Sequence, residues 1–234
     1  MLSSAAAVQR QVRALADPAR ATHSLRFFKT GPGDYGEGDR FLGLTVPMLR
    51  RLAREHQDLP LKELTNLLKS PWHEERLLAL LVLSRQYGRG TAVERAAIYR
   101  QYLKHTRHIN NWDLVDSSAE HIIGAHLAEG DQEMLERLAR SPDLWERRIA
   151  IVATLHYIKR GEFKPTLKIA RLLLNDEHDL IHKAAGWMLR EVGKRDRAAE
   201  VRFLTRYAKR MPRTMLRYAL ERFPPAERSR WLAR

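Results

Sequence analysis

The chain is 234 residues long, enough to bury a substantial core, and its 42 Lys and Arg against 28 Asp and Glu leave a formal charge of +14. That imbalance favours a polyanionic partner and says nothing about fold. Without cysteine there is no disulfide, no thiolate nucleophile and no cysteine zinc site, and no apolar run approaches the roughly 20 residues that cross a bilayer; the expected place is the cytoplasm, or the nucleoid within it.

MLSSAAAVQRQVRAL lacks the apolar block of a signal peptide and starts one or two leading helices over residues 1–28. GPGDYGEGD follows at 31–39. It contains G-x-G-x-x-G at Gly31, Gly33 and Gly36, but no apolar strand precedes it, no helix opens from it, and Asp34, Glu37 and Asp39 would repel a pyrophosphate, so it is read as a connection. Phe41, Leu42 and Leu44 then anchor the chain before Pro47 starts a helix. Helical pairs are expected over 40–88, 91–127, 131–161, 165–195 and 198–222. Ser70-Pro71 and Ser141-Pro142, 71 residues apart, each offer an N-cap serine with proline at the first helical position. Gly88, Gly90, Gly130 and Gly161 can stop helices. Sustained two-residue alternation is missing. The expected fold is therefore all-α, a HEAT-like helical-repeat solenoid with a concave basic face. It forms one domain over 1–234, with leading helices and the Gly-rich loop at 1–40, repeats at 41–223 and a tail at 224–234 after Pro224-Pro225.

Arg76, Trp112, Arg148, Lys183 and Arg217 lie one repeat apart, at intervals of 36, 36, 35 and 34 residues. Each opens a helical stretch (RLLALL, WDLVDS, RIAIVA, KAAGWM, RYALER), so stacking puts the five in a row on one surface. On NNWDLVDSSAEHIIGAHL, residues 110–127, the apolar stripe is Val115, Ser118, Ala119, Ile122 and His126. Trp112 and Asp116 flank it as i and i+4 neighbours. Taken singly, Trp112 reads as a core aromatic and Asp116 as a solvated or ion-paired acid. Placed together in a cationic row they read as a reaction centre on a nucleic acid. Trp187 stands four residues after Lys183, as Asp116 stands four after Trp112.

From Lys183 to Arg234 there are 15 basic and 5 acidic residues, making the C-terminal fifth a backbone clamp. Arg76, Arg148, Lys183 and Arg217, helped by Arg190, Lys194, Arg206, Lys209, Arg210 and Arg213, are expected to hold phosphates, giving affinity and register without sequence readout. Among the ten histidines only His178 and His182 have i, i+4 spacing and no H-E-x-x-H occurs, so no metal site is expected. Ser117-Ser118 lacks a G-x-S-x-G context. Tyr35, Tyr87, Tyr99 and Tyr102 are read as loop or core aromatics.

WDLVD at 112–116, LWERRIAIV at 144–152, HKAAGWMLRE at 182–191 and MPRTMLRYALERF at 211–223 resemble the alkylpurine DNA glycosylases built from HEAT-like repeats, the AlkD family. The resemblance spans about residues 40–225 and keeps order and spacing across four segments. It implies that Asp116 is the catalytic aspartate, Trp112 and Trp187 the active-site tryptophans, and Arg148 the DNA-contacting arginine, with Arg147 one residue away as the alternative. It implies excision of N3- and N7-alkylated purines from double-stranded DNA by a monofunctional enzyme without metal or cofactor, expected as a monomer and off the membrane. It also implies an open face that catches the lesion from the backbone side. Alkylation makes the purine cationic and hence a good leaving group. A carboxylate near the sugar then stabilises the oxocarbenium ion and orients water, aided by indole faces. The competing reading is a non-catalytic helical-repeat module that binds nucleic acid or an acidic protein.

Overall fold

The computed structural model describes residues 4–130 and 132–233, and among them every regular element is helical. The one β feature among the described residues is an isolated parallel bridge between Arg40 and Trp72. The helices cluster into two compact units, residues 1–122 and 123–234.

In the first unit, helices Ala5–Ala14 and Pro18–Phe27 lead, capped by Ser4 and Asp17, whose side chains accept from Ala7 N and Arg20 N. Val46–Glu55 and Leu61–Leu68 both pack on the long helix His73–Arg89. Leu49, Leu52, Leu64, Leu67, Leu78 and Leu83 form the fully buried centre. The next helix, Ala92–Lys104, begins with a capping box between Thr91 and Glu94.

In the second unit, Leu144–Ala153 packs on Asp179–Gly193, and that helix packs on Arg213–Ala219. Glu133–Ala139 lies against Leu144–Ala153 and Lys164–Leu172, while Lys164–Leu172 and Arg197–Tyr207 both back onto Asp179–Gly193. Arg148, Lys183 and Arg217 are each the fifth residue of their helix, so the repeat phase read from the sequence holds across these three. Gly186 lies where Asp179–Gly193 packs closely on Arg213–Ala219. A Cβ there would collide with the Met215 carbonyl oxygen and come 2.5 Å from Tyr218 Cβ. Gly186→Ala is expected to overpack this contact by about 1–3 kcal/mol. A thermal scan should show a midpoint lower by several degrees, and an unchanged midpoint would mean that the helices can part freely.

Three local expectations are corrected. Neither Ser70 nor Ser141 caps a helix. Each hydroxyl accepts from the backbone N–H two residues on, Trp72 and Asp143, and forms a turn before helices that start at His73 and Leu144. At the second start the cap is Asp143, which accepts from Trp145 N and Glu146 N. The stretch 110–127 is also not one helix. Helix Trp112–Asp116 gives way to a turn at Ser117 and Ser118 and then to a π-helical turn, Glu120–Gly124. Ser117 Oγ donates to Asp113 O at 2.6 Å and Ser118 Oγ donates to Leu114 O at 2.6 Å, so hydroxyls compete for carbonyls in the helix ladder. Finally, the tail folds into helix Pro225–Leu232. Proline at its first position is preorganised, and Trp231 is buried.

Candidate active site

Asp116 lines a pocket of about 390 Å³ with Arg50 and Arg54 from Val46–Glu55, Ser84 and Arg85 from His73–Arg89, and Ser117 and His121. Arg50 and Arg54 are one helical turn apart, and all three arginines are exposed. Among the described residues none of the three makes a hydrogen bond or an ion pair. The pocket therefore surrounds one carboxylate with three guanidiniums open to a ligand. The acid is also felt beneath it. Burial pushes the Tyr102 phenol well above its ordinary pKa, the hydrogen bond with Ser118 opposes this, and the charge of Asp116 adds to the rise.

Trp112 is half-buried. Its indole stacks on Phe28 at 5.3 Å and meets Phe27 edge-on at 5.7 Å. Its helix is held from behind by a buried polar network. Asn111, fully buried, accepts from Trp112 N through Oδ1 and donates through Nδ2 to Asp39 Oδ2 at 3.0 Å. Asp39 takes a second bond from Arg76, 2.6 Å between Oδ1 and the guanidinium. Between Asp39 and Asp113 lies His73, 2% exposed, with Nε2 at 2.8 Å from Asp113 and Nδ1 at 3.5 Å from Asp39. Burial pulls the His73 pKa down, but the charge of Asp113 and the contacts with both acids outweigh it, raising it to about 9. Burial pushes the Asp39 carboxyl up, yet His73, Arg76 and Asn111 together hold it below its ordinary value.

These distances correct the expectation for Arg76. Its side chain is 4% exposed and donates to Asp39 and to the Ser70 carbonyl. It is committed inside the fold and presents no charge to a phosphate. Arg148 is likewise 4% exposed, with Nη1 donating to the Leu180 carbonyl at 2.6 Å, so it ties successive repeats together. Arg147 is the structural counterpart of Arg76: each stands six residues after the serine of a Ser-Pro pair and donates to that serine's carbonyl. Arg147 also pairs with Asp176 at 2.6 Å.

Lys183 remains part-exposed and pairs with Asp179 at 2.7 Å, a surface pair that an incoming phosphate can replace. Arg217 is exposed, and its guanidinium reaches Thr214 Oγ1 only at 3.5 Å. Trp187 is half-buried, and its indole lies close enough to the Glu191 carboxylate to favour the charged form. Burial raises the pKa of that carboxyl, but the bond from Lys194, the charge of Arg190 and the Trp187 indole hold it below its ordinary value.

Sequence reasoning missed Asp39, His73, Asn111 and the arginines at 50, 54 and 85. The i, i+4 spacing of Arg50 and Arg54 was a legible signal, but nothing in the sequence brings Arg85 beside Asp116. Asp39 closes the Gly-rich loop, where Gly33 and Gly38 take positive φ. The acid read there only as unfavourable to phosphate is the anchor of the buried network.

The family described as DNA alkylation repair enzyme matches residues 8–223 of the chain. A solved structure titled "Predicted DNA alkylation repair enzyme from Enterococcus faecalis" is similar over 90% of this chain and 97% of that one, with a TM-score of 0.68 and 17% sequence identity. This is a likeness of fold. No curated protein matches the chain in sequence.

Proposed function

The chain belongs to the family of DNA alkylation repair enzymes, and from that membership we propose that it is a monofunctional glycosylase hydrolysing the N-glycosidic bond of N3- and N7-alkylated purines in duplex DNA. The observation that carries the proposal is Asp116 in a pocket with three unpaired arginines. A pocket built only to hold phosphate gains nothing from a carboxylate at its wall. One built to cleave a glycosidic bond needs a negative charge beside the sugar and positive charges for the flanking phosphates.

In this reading Arg50, Arg54 and Arg85 take backbone phosphates and set the deoxyribose against Asp116. Lys183 and Arg217 contribute further phosphate contacts. The C1′–N bond breaks heterolytically and its electron pair leaves with the purine, which departs neutral because alkylation had made it cationic. Asp116 stabilises the oxocarbenium ion left on the sugar. Water adds to C1′ and gives its proton to Asp116 or to solvent, yielding an abasic site with both strands intact. Trp112, four residues before Asp116, offers an indole face to developing positive charge, worth roughly 0.5–2 kcal/mol; Trp187 is proposed for a like role on its own unit. No step requires a cofactor, and the enzyme acts as a monomer in the cytoplasm, at the nucleoid when bound to DNA.

The arginine assignment is tested by duplex affinity as a function of salt. Replacing Arg50, Arg54 or Arg85 singly by alanine is expected to flatten the slope of log affinity against log salt by about one unit each. Arg76→Ala and Arg148→Ala, where the variants fold, should leave the slope alone. Wild-type slopes in all three pocket variants would take these arginines off the DNA.

A further inference from the structure

A second concave surface lies in the unit 123–234, between helices Lys164–Leu172 and Arg197–Tyr207. It encloses about 640 Å³. Both helices back onto Asp179–Gly193, the helix that carries Lys183 and Trp187. The surface shares no residue with the Asp116 pocket.

Its floor is apolar. Leu167, Ala199, Phe203 and Tyr207 line it, with Phe163 at one end. Its rims are basic. Lys164, Lys168 and Arg171 stand at i, i+4 and i+7 along one helix, and Arg202 and Arg206 at i and i+4 along the other. The one acid among the lining residues is Asp196, which caps its helix by accepting from Ala199 N. Of the rim cations, Lys168 pairs with Glu136 and Arg202 reaches Asp196 only at 3.9 Å. Among the described residues Lys164 and Arg171 make no hydrogen bond or ion pair.

We propose that this groove docks an acidic amphipathic helix of a partner protein. Such a helix would place apolar residues at i, i+3, i+4 and i+7 on the floor and Asp or Glu opposite each basic rim. Charge complementarity sets the sign of the partner, and the state of the aromatic rings sets its class. A nucleic-acid strand would need bare ring faces on which bases can stack. Phe203 is 5% exposed, and Tyr207 packs on it at 4.8 Å with the Arg206 guanidinium 5.5 Å from its ring centroid. The floor therefore offers mainly apolar contact: Phe163 and Tyr207 are part-exposed, but with Phe203 buried between the helices they do not make a run of bare rings for successive bases. The inference is independent of the proposed glycosylase reaction.

The test uses the full chain and a fluorescein-labelled synthetic helix of about 16 residues, with leucines on one face and glutamates on both flanks. A scrambled peptide of the same composition and an oligothymidylate of equal charge are run in parallel by fluorescence anisotropy. The amphipathic peptide is expected to bind about tenfold or more tightly than the scrambled one. The double charge reversal K164E/R202E, on exposed positions, should weaken it by about tenfold or more, and Leu167→Gln, which changes the floor without changing charge, should also weaken it severalfold. Oligothymidylate should not displace the peptide. Equal binding of the scrambled peptide, full affinity in both variants while their thermal midpoints match wild type, or displacement by oligothymidylate would each overturn the proposal.

Discussion

Asp116→Asn is expected to lower release of 7-methylguanine and 3-methyladenine from methylated duplex DNA by about 10²-fold or more, the range seen when a charge-stabilising group is removed from a transition state. Asparagine keeps the volume of the side chain, so the pocket formed with Arg50, Arg54 and Arg85 keeps its shape. Removal of a negative charge from among three guanidiniums should leave duplex affinity equal to wild type or slightly higher. This pairing of outcomes, chemistry lost with binding retained, separates a catalytic acid from a structural one. Single-turnover release and binding isotherms on the same preparation check it. Trp112→Ala and Trp187→Ala should each cost less, because a cation–π contact supplies only a small part of the stabilisation. Undiminished base release by Asp116→Asn would remove this residue from the mechanism.

Arg76→Ala is expected to be strongly destabilising, at about 3 kcal/mol, because it takes the guanidinium from a buried carboxylate and leaves Asp39 with only Asn111 and His73. Asp39 holds Arg76 at 2.6 Å and is itself 7% exposed. The loss passes through Asp39 and Asn111 to the start of helix Trp112–Asp116, so activity should fall together with stability. Urea titration measures the first, and a loss below about 1 kcal/mol would show that the network is not needed for folding. The same network has a pH signature. His73 has its pKa raised from 6.5 to about 9, so its contribution is fully present below pH 6.5 and fades as pH rises through about 9. It amounts to on the order of 3 kcal/mol. Wild type should lose that stability over this interval, whereas His73→Gln should be flatter there.

The helical class and the repeat phase were legible because they depend on local periodicity. Arg148, Lys183 and Arg217 occupy equivalent places in successive helices. Exposure was not legible, because it depends on which groups other segments bring near. Arg148 and Lys183 are equivalent by phase, yet one is buried against the Leu180 carbonyl and the other is part-exposed and paired with Asp179. Trp112 and Asp116 were found as i, i+4 neighbours, a relation a single helix imposes. The pocket about Asp116 draws on residues from about 50 to 121, and no local pattern carries that proximity. Serine chemistry misled twice: the Ser-Pro pairs form turns ahead of their helices, and Ser117 and Ser118 interrupt a helix that the apolar stripe alone would continue.

The most direct measurement is chromatography of the bases released when the purified protein acts on methylated duplex DNA, with the strands analysed in parallel. The account predicts free 7-methylguanine and 3-methyladenine, one abasic site for each base released, and no strand cleavage until alkali is added. Damaged duplex bound by the protein but returned with every methylated base still attached would contradict it.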